Sequence, residues 1–130
     1  MTKYGLLIAI ALVAAGCGGH VQLDKLRDSE VPVWYLGTSF EGYELTYADT
    51  DGVVNRVLVV YGTCDPPGGF MSDGGCVPPL ELSTCAGSDT VVIYGDGHGL
   101  DLRAAKALRP LNDAARRIGK PYVQRGHGSC

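Results

Sequence analysis

Cys64, Cys76, Cys85 and Cys130 are the side chains in the body of this sequence with the most chemistry open to them. Thiols in such a set either pair as disulfides or ligate a soft metal. Four cysteines allow three pairings. Joining Cys64 to Cys76 closes a Pro/Gly-rich stretch and leaves Cys85 for Cys130; a closed loop of that length stabilises by roughly 3 kcal/mol. The metal alternative takes Cys64, Cys76 and Cys85 with His98 or His127 around zinc or copper. The intervals are long and irregular, and the sequence has no Cys-x-x-Cys pair. The spacing therefore argues against a metal centre and against thiol exchange, which uses that motif.

A second candidate is Gly95-Asp96-Gly97-His98-Gly99. Glycines ahead of a helix let backbone N–H groups approach an anion, which makes Asp96 and His98 weak candidates for a phosphate or carboxylate site. The spacing matches neither the phosphate-binding loop nor the dinucleotide fingerprint. The plainer expectation is a strand-to-helix turn with Asp96 or His98 near the helix cap. No serine stands in a nucleophile context such as G-x-S-x-G. Of the histidines, His20 and His127 lie near the ends and only His98 sits beside a regular element. An enzyme would have to use His98 with a nearby carboxylate. The sequence is read as non-enzymatic, with no catalytic residue and no cofactor.

The elements that must position these residues are short strands followed by a helix. Pro32–Leu36 is β-branched and aromatic, and Trp34, Tyr35 and Phe40 are expected in the core. In Tyr43–Tyr47, alternation places Tyr43, Leu45 and Tyr47 on one face, and Asp49-Thr50-Asp51-Gly52 reads as a turn. Val53–Tyr61 is the most strand-like run, expected at the centre of the sheet. Residues 62–79 hold too many glycines and prolines for a paired strand. Leu80–Ser83 and Thr90–Tyr94 are further strands. Leu100, Ala104, Leu108, Leu111, Ala115 and Ile118 then form one apolar stripe at helical period. Pro110 falls within it, so that helix kinks or breaks near Arg109. Pro121–Val123 is read as a final short strand. The fold expected is α+β: a small, mostly antiparallel sheet with one C-terminal helix packed on one face.

The chain of 130 residues suffices for one domain. Its charge is unevenly placed: residues 18–99 carry three basic against twelve acidic side chains, and residues 100–130 seven basic against two acidic. No aromatic or Gly-rich nucleic-acid motif accompanies the basic end, which is read as the solvated face of a helix rather than a nucleic-acid surface.

The N-terminus reads MTKYGLLIAIALVAAGC, with one cation at Lys3 and an uncharged apolar run from Tyr4 to Ala15. A bilayer-spanning helix takes about 20 residues, so this shorter run fits the hydrophobic core of a signal peptide. Ala14-Ala15-Gly16-Cys17 resembles the bacterial lipobox, with alanine where leucine is preferred. The resemblance implies cleavage between Gly16 and Cys17 and attachment of a diacylglyceryl group to the Cys17 thiol. Each buried methylene contributes about 0.8 kcal/mol, and stable anchoring takes two chains, which that group supplies. The division expected is a signal peptide over 1–16, the lipidated cysteine and a tether over 17–30, one α+β domain over 31–123 and a flexible tail over 124–130.

With no aspartate after Cys17, the resemblance implies the outer leaflet of the cell membrane, or the outer membrane if the host has two membranes. Outside the cytoplasm disulfides persist. Val33–Gly37 with Phe40 and Gly42, then Val60–Cys64, Gly75–Leu80 and Thr90–Tyr94, resemble small uncharacterised lipoproteins of high-GC Gram-positive bacteria. That resemblance carries no activity or ligand. The partners expected are the membrane, through Cys17, and an envelope protein. A solute- or metal-binding lipoprotein serving a membrane partner is the alternative; a pocket lined by Trp34, Tyr35 and His98 would favour it.

Overall fold

The computed structural model describes residues 21–51, 55–63 and 78–126. The leader, Gly16, Cys17, Cys64, Cys76, Cys130, His20 and His127 lie outside the described residues, as does most of the 62–79 loop.

The Val-rich run folds as β4 (Arg56–Tyr61), in which every residue from Val57 to Tyr61 is buried. A strand covered on both faces belongs inside a sheet, and β4 lies between β3 (Tyr43–Asp51) and β5 (Leu80–Cys85). The curled six-stranded sheet has the order β2-β3-β4-β5-β6-β8, where β2 is Ser39–Phe40, β6 is Thr90–Gly95 and β8 is Tyr122–Arg125. All neighbours pair antiparallel except β6 and β8, which run parallel from Thr90↔Tyr122 to Ile93↔Arg125. A second, two-stranded sheet pairs β1 (Trp34–Tyr35) with β7 (Arg109–Pro110).

The α+β class is as the sequence suggests, but the single C-terminal helix is not found. In its place stand α2 (Leu100–Ala107) and α3 (Asp113–Ile118). The shorter α1 (Leu23–Arg27) precedes the strands. Leu108 leaves the helix with φ −58° and ψ 135°. The residue before a proline is pushed to extended backbone, and here Arg109 and Pro110 become strand β7 rather than a kink. The apolar stripe nevertheless survives the break. Leu100, Ala104, Leu111 and Ala115 are buried in the core, Leu108 packs against it, and Ile118 is exposed.

This broken segment also explains the parallel strand. Parallel neighbours need a long crossover, and α2, β7 and α3 form it between β6 and β8. Gln124 and Arg125, read as part of a tail, are therefore strand residues, and the Gly126 N–H donates to Ile93 O at 2.9 Å.

The tether expected over 17–30 is likewise corrected from Val21 onward. Val21 bridges to Ala48, and the Gln22 N–H donates to Ala48 O at 2.8 Å. Leu26 of α1 is fully buried. Leu23 and Leu26 supply apolar area at helical spacing, which docks this segment onto the core.

In β3 the register shifts between Leu45 and Tyr47. The Thr46 Oγ1 donates to Gly62 O at 2.7 Å. The bulge reverses the alternation, so Ala48 enters the core in place of Tyr47. Asp49–Asp51, expected to turn, continue the strand against Leu58, Val57 and Arg56.

Candidate functional site

The Gly95–Gly99 segment joins β6 to α2 as the sequence suggests. Position 95 needs a glycine because the helix sits directly on it: a Cβ there would lie 2.5 Å from the Asp101 backbone nitrogen. The Asp96 N–H donates to Pro79 O at 2.8 Å. Gly97, His98 and Gly99 then turn the chain with φ of 73°, 54° and 73°. Gly99 caps α2 with no side-chain hydrogen bond, so neither Asp96 nor His98 supplies the cap.

Arg103, one turn into α2, closes this loop from within. Its Nη1 donates to His98 O at 2.6 Å. Its Nε and Nη2 donate to the two carboxylate oxygens of Glu41 at 2.8 and 2.9 Å. Glu41 occupies the two-residue turn between β2 and β3 at a left-handed φ of 49°, a conformation such hairpin turns require. The hydrogen bonds from Arg103 hold the Glu41 carboxyl below the usual glutamate range; slight desolvation opposes them and the Arg103 charge adds to them. The same pairing raises Arg103. The loop is thus bound to the hairpin by a fixed ion pair, in which Glu41 is neutralised rather than poised as a base.

Asp96 and His98 are exposed, and among the described residues no hydrogen bond or ion pair joins them. No group of three metal-ligating side chains occurs among the described residues. Cys85, at the end of β5 opposite Arg56, is disulfide-bonded; its pairing lies outside the described residues.

Two polar groups that the sequence reading passed over organise the core. The Tyr61 hydroxyl accepts from the Leu36 N–H and donates to Gly37 O, both at 2.7 Å. Burial pushes its pKa above the ordinary tyrosine range, so it stays a neutral donor. Asn112 is fully buried. Its Oδ1 accepts from the N–H groups of Val33 and Ala115, and its Nδ2 donates to the carbonyls of Leu26, Ser29 and Val31. It caps α3 and fastens that helix to the segment leading into β1. An asparagine directly after Pro110-Leu111 and before a helical run is a cap signal, hidden while the stripe is read as one helix.

A cleft of about 460 Å³ opens between the end of α2 and the connection from α3 to β8. Trp34 of β1, only 1% exposed, lines it from the core side, with Ala105, Lys106, Leu108, Lys120 and Val123 around it. Tyr35 and His98 are not part of it. Tyr35 instead carries the Arg109 guanidinium 5.3 Å from its ring centroid. Among the described residues, Trp34 Nε1 is the one buried side-chain polar atom without a hydrogen-bond partner.

Comparison with known proteins gives no matching family, no similar curated protein and no similar solved structure.

Proposed function

We propose that this chain is an extracytoplasmic lipoprotein, held on the membrane through a diacylglyceryl group on Cys17, whose α+β domain has a non-catalytic interaction or structural role in the cell envelope. The observation that carries the reading is the N-terminal pattern: Lys3, the uncharged run Tyr4–Ala15, and Gly16-Cys17. Its address is the outer leaflet of the cell membrane, or the outer membrane in a host with two.

The fold adds a distance to this reading. Because Val21 already bridges to Ala48, the chain from Cys17 to Val21 can span at most about 14 Å. A domain anchored there rides against the lipid headgroups, suited to a partner in or on the same membrane. A disulfide at Cys85 agrees with an oxidising compartment.

Cell fractionation of a Cys17→Ser variant tests the reading. The parent chain is expected in the membrane fraction, cut before Cys17. The variant is expected to lose both the lipid and that processing. Equal processing and equal membrane partition of the two would overturn the proposal.

A second reading, a lipoprotein that holds a small solute, is favoured by one observation: the cleft over Trp34, with an unpartnered buried donor in its lining residue.

A further inference from the structure

We infer that the outer surface of the crossover from α2 to β8 is a docking face for an anionic lipid surface, which fixes how the anchored domain sits on its membrane. The inference rests on the proposed attachment at Cys17 and adds an orientation to it.

Among the described residues, the exposed large hydrophobic side chains are Leu102, Ile118, Tyr122 and Val123, and all of them lie in this crossover and the strand it delivers. The same stretch carries the basic charge. Residues 100–130 hold seven basic against two acidic side chains, whereas residues 18–99 hold three against twelve. Arg103, Arg116 and Arg125 face carboxylates. Lys106, Arg109, Arg117 and Lys120 are exposed, and none has an ion-pair partner among the described residues. Charges on an edge strand such as β8 keep it from pairing with other chains, but that role does not account for the apolar side chains beside them. Cations and exposed apolar side chains on one surface, with a tyrosine 72% exposed, form the composition that settles at the headgroup boundary of a bilayer.

The fold places this surface on the side from which the anchor arrives. Lys106, Lys120 and Val123 border one cleft, and Leu102 lies one turn before Lys106 on α2. Leu26 of α1, Ala104 of α2 and Ala115 of α3 share a core with Val57, Val59 and Tyr61, which alternate onto one face of β4. The segment leading from the anchor and the basic crossover therefore cover the same side of the sheet. With at most about 14 Å of chain between Cys17 and Val21, that side lies within reach of the headgroups. Anionic lipid attracts the crossover and repels the acidic remainder of the chain, so both charges turn the domain the same way. A second copy at this surface would instead set one basic stretch against another of the same sign.

The experiment places the chain isolated from membranes into nanodiscs of phosphatidylcholine, with and without phosphatidylglycerol, doped with a lipid that carries a nitroxide on its headgroup. Intact mass of the same sample first reports the lipid on Cys17. Paramagnetic broadening of the Tyr122 and Val123 resonances is then read by NMR. It is expected to be stronger in the anionic discs and to fall to the level of the neutral discs as added salt screens the charges. Each cation near an anionic surface multiplies the docked population about fivefold, so the Lys106→Gln/Lys120→Gln variant should lower the docked-to-free ratio about 25-fold. The Lys106→Arg/Lys120→Arg variant should keep it. Equal broadening in the two kinds of disc, or a glutamine variant that docks undiminished, would overturn the docking face and leave the attachment at Cys17 standing. A chain without lipid on Cys17 would overturn the attachment and the docking face with it.

Discussion

Replacing Asn112 with alanine removes the acceptor of two backbone N–H groups and an amide donor shared among three carbonyls, and the structure allows the loss to be worked out. The Val33 and Ala115 N–H groups donate to Oδ1 at 3.1 and 3.0 Å in buried surroundings. Neither has a substitute in the cavity the variant leaves. A buried donor left unpaired costs about 1–3 kcal/mol. Among the acceptors of Nδ2, Leu26 O keeps the Ser29 N–H at 3.1 Å, whereas the carbonyls of Ser29 and Val31 are only partly buried and can turn to water. The two donors therefore dominate, and Asn112→Ala should destabilise by about 3–4 kcal/mol, a large share of the roughly 5–15 kcal/mol typical of a domain.

The Asn112→Asp variant sharpens the prediction. It keeps the acceptor for both N–H groups but sets an anion against three carbonyl oxygens. At neutral pH it should be at least as destabilising as alanine. Burial and those carbonyls raise the folded pKa of the introduced carboxyl above its unfolded value, so its stability should recover as pH falls toward that raised value. The assay is urea unfolding of the full chain followed by fluorescence of Trp34, at neutral and mildly acidic pH. A loss below about 1 kcal/mol for alanine, or an aspartate variant that is insensitive to pH, would refute the assignment of Asn112 as the central polar tie.

Tyr61→Phe leaves the Leu36 N–H and Gly37 O without their shared hydroxyl; urea unfolding should show a loss of about 1–3 kcal/mol, and no loss would mean that water reaches both groups. For Glu41, the folded pKa lies below the unfolded one, so the contribution of its pair with Arg103 is present above the ordinary glutamate pKa and is lost as pH falls through the lowered value. A side-chain carbon titration of Glu41 should show that low midpoint, and Arg103→Gln should return it upward; a midpoint unmoved by the substitution would contradict the pairing.

Strand identity was largely legible where burial is one-sided or complete. Val57–Tyr61 and Thr90–Ile93 lie in strands because β-branched runs bounded by turn residues have few other ways to bury their surface, and Leu80–Ser83 because its alternation puts Leu80 and Leu82 into the core. The apolar stripe from Leu100 to Ile118 was also legible as a core-facing set. What it could not show was that Pro110, rather than bending one helix, would enter a two-residue strand with Trp34, since that depends on a partner more than seventy positions away in sequence.

The same limit hid how far β8 runs past Val123 and that it pairs parallel with β6. Tyr122–Arg125 are exposed throughout and carry no alternation; the strand exists because the crossover delivers it beside β6. The docking of Val21–Arg27 was missed because its few apolar residues sit among charges, and only the depth of Leu26 shows that they suffice. At the candidate sites, the sequence singled out Asp96 and His98 by their glycines, whereas the glycines serve the turn and the close approach of α2 to Gly95. Trp34 was expected in the core, and it is there; that its N–H would lack a partner was not readable from residue types.

The anchoring proposal is met most directly by intact-mass measurement of the chain isolated from the membrane fraction of its host, before and after reduction. The account predicts a polypeptide that begins at Cys17 and carries the added mass of at least a diacylglyceryl group, with a further shift on reduction of the bond at Cys85. A membrane-bound chain that retains residues 1–16, or one that begins elsewhere and carries no lipid, would contradict it.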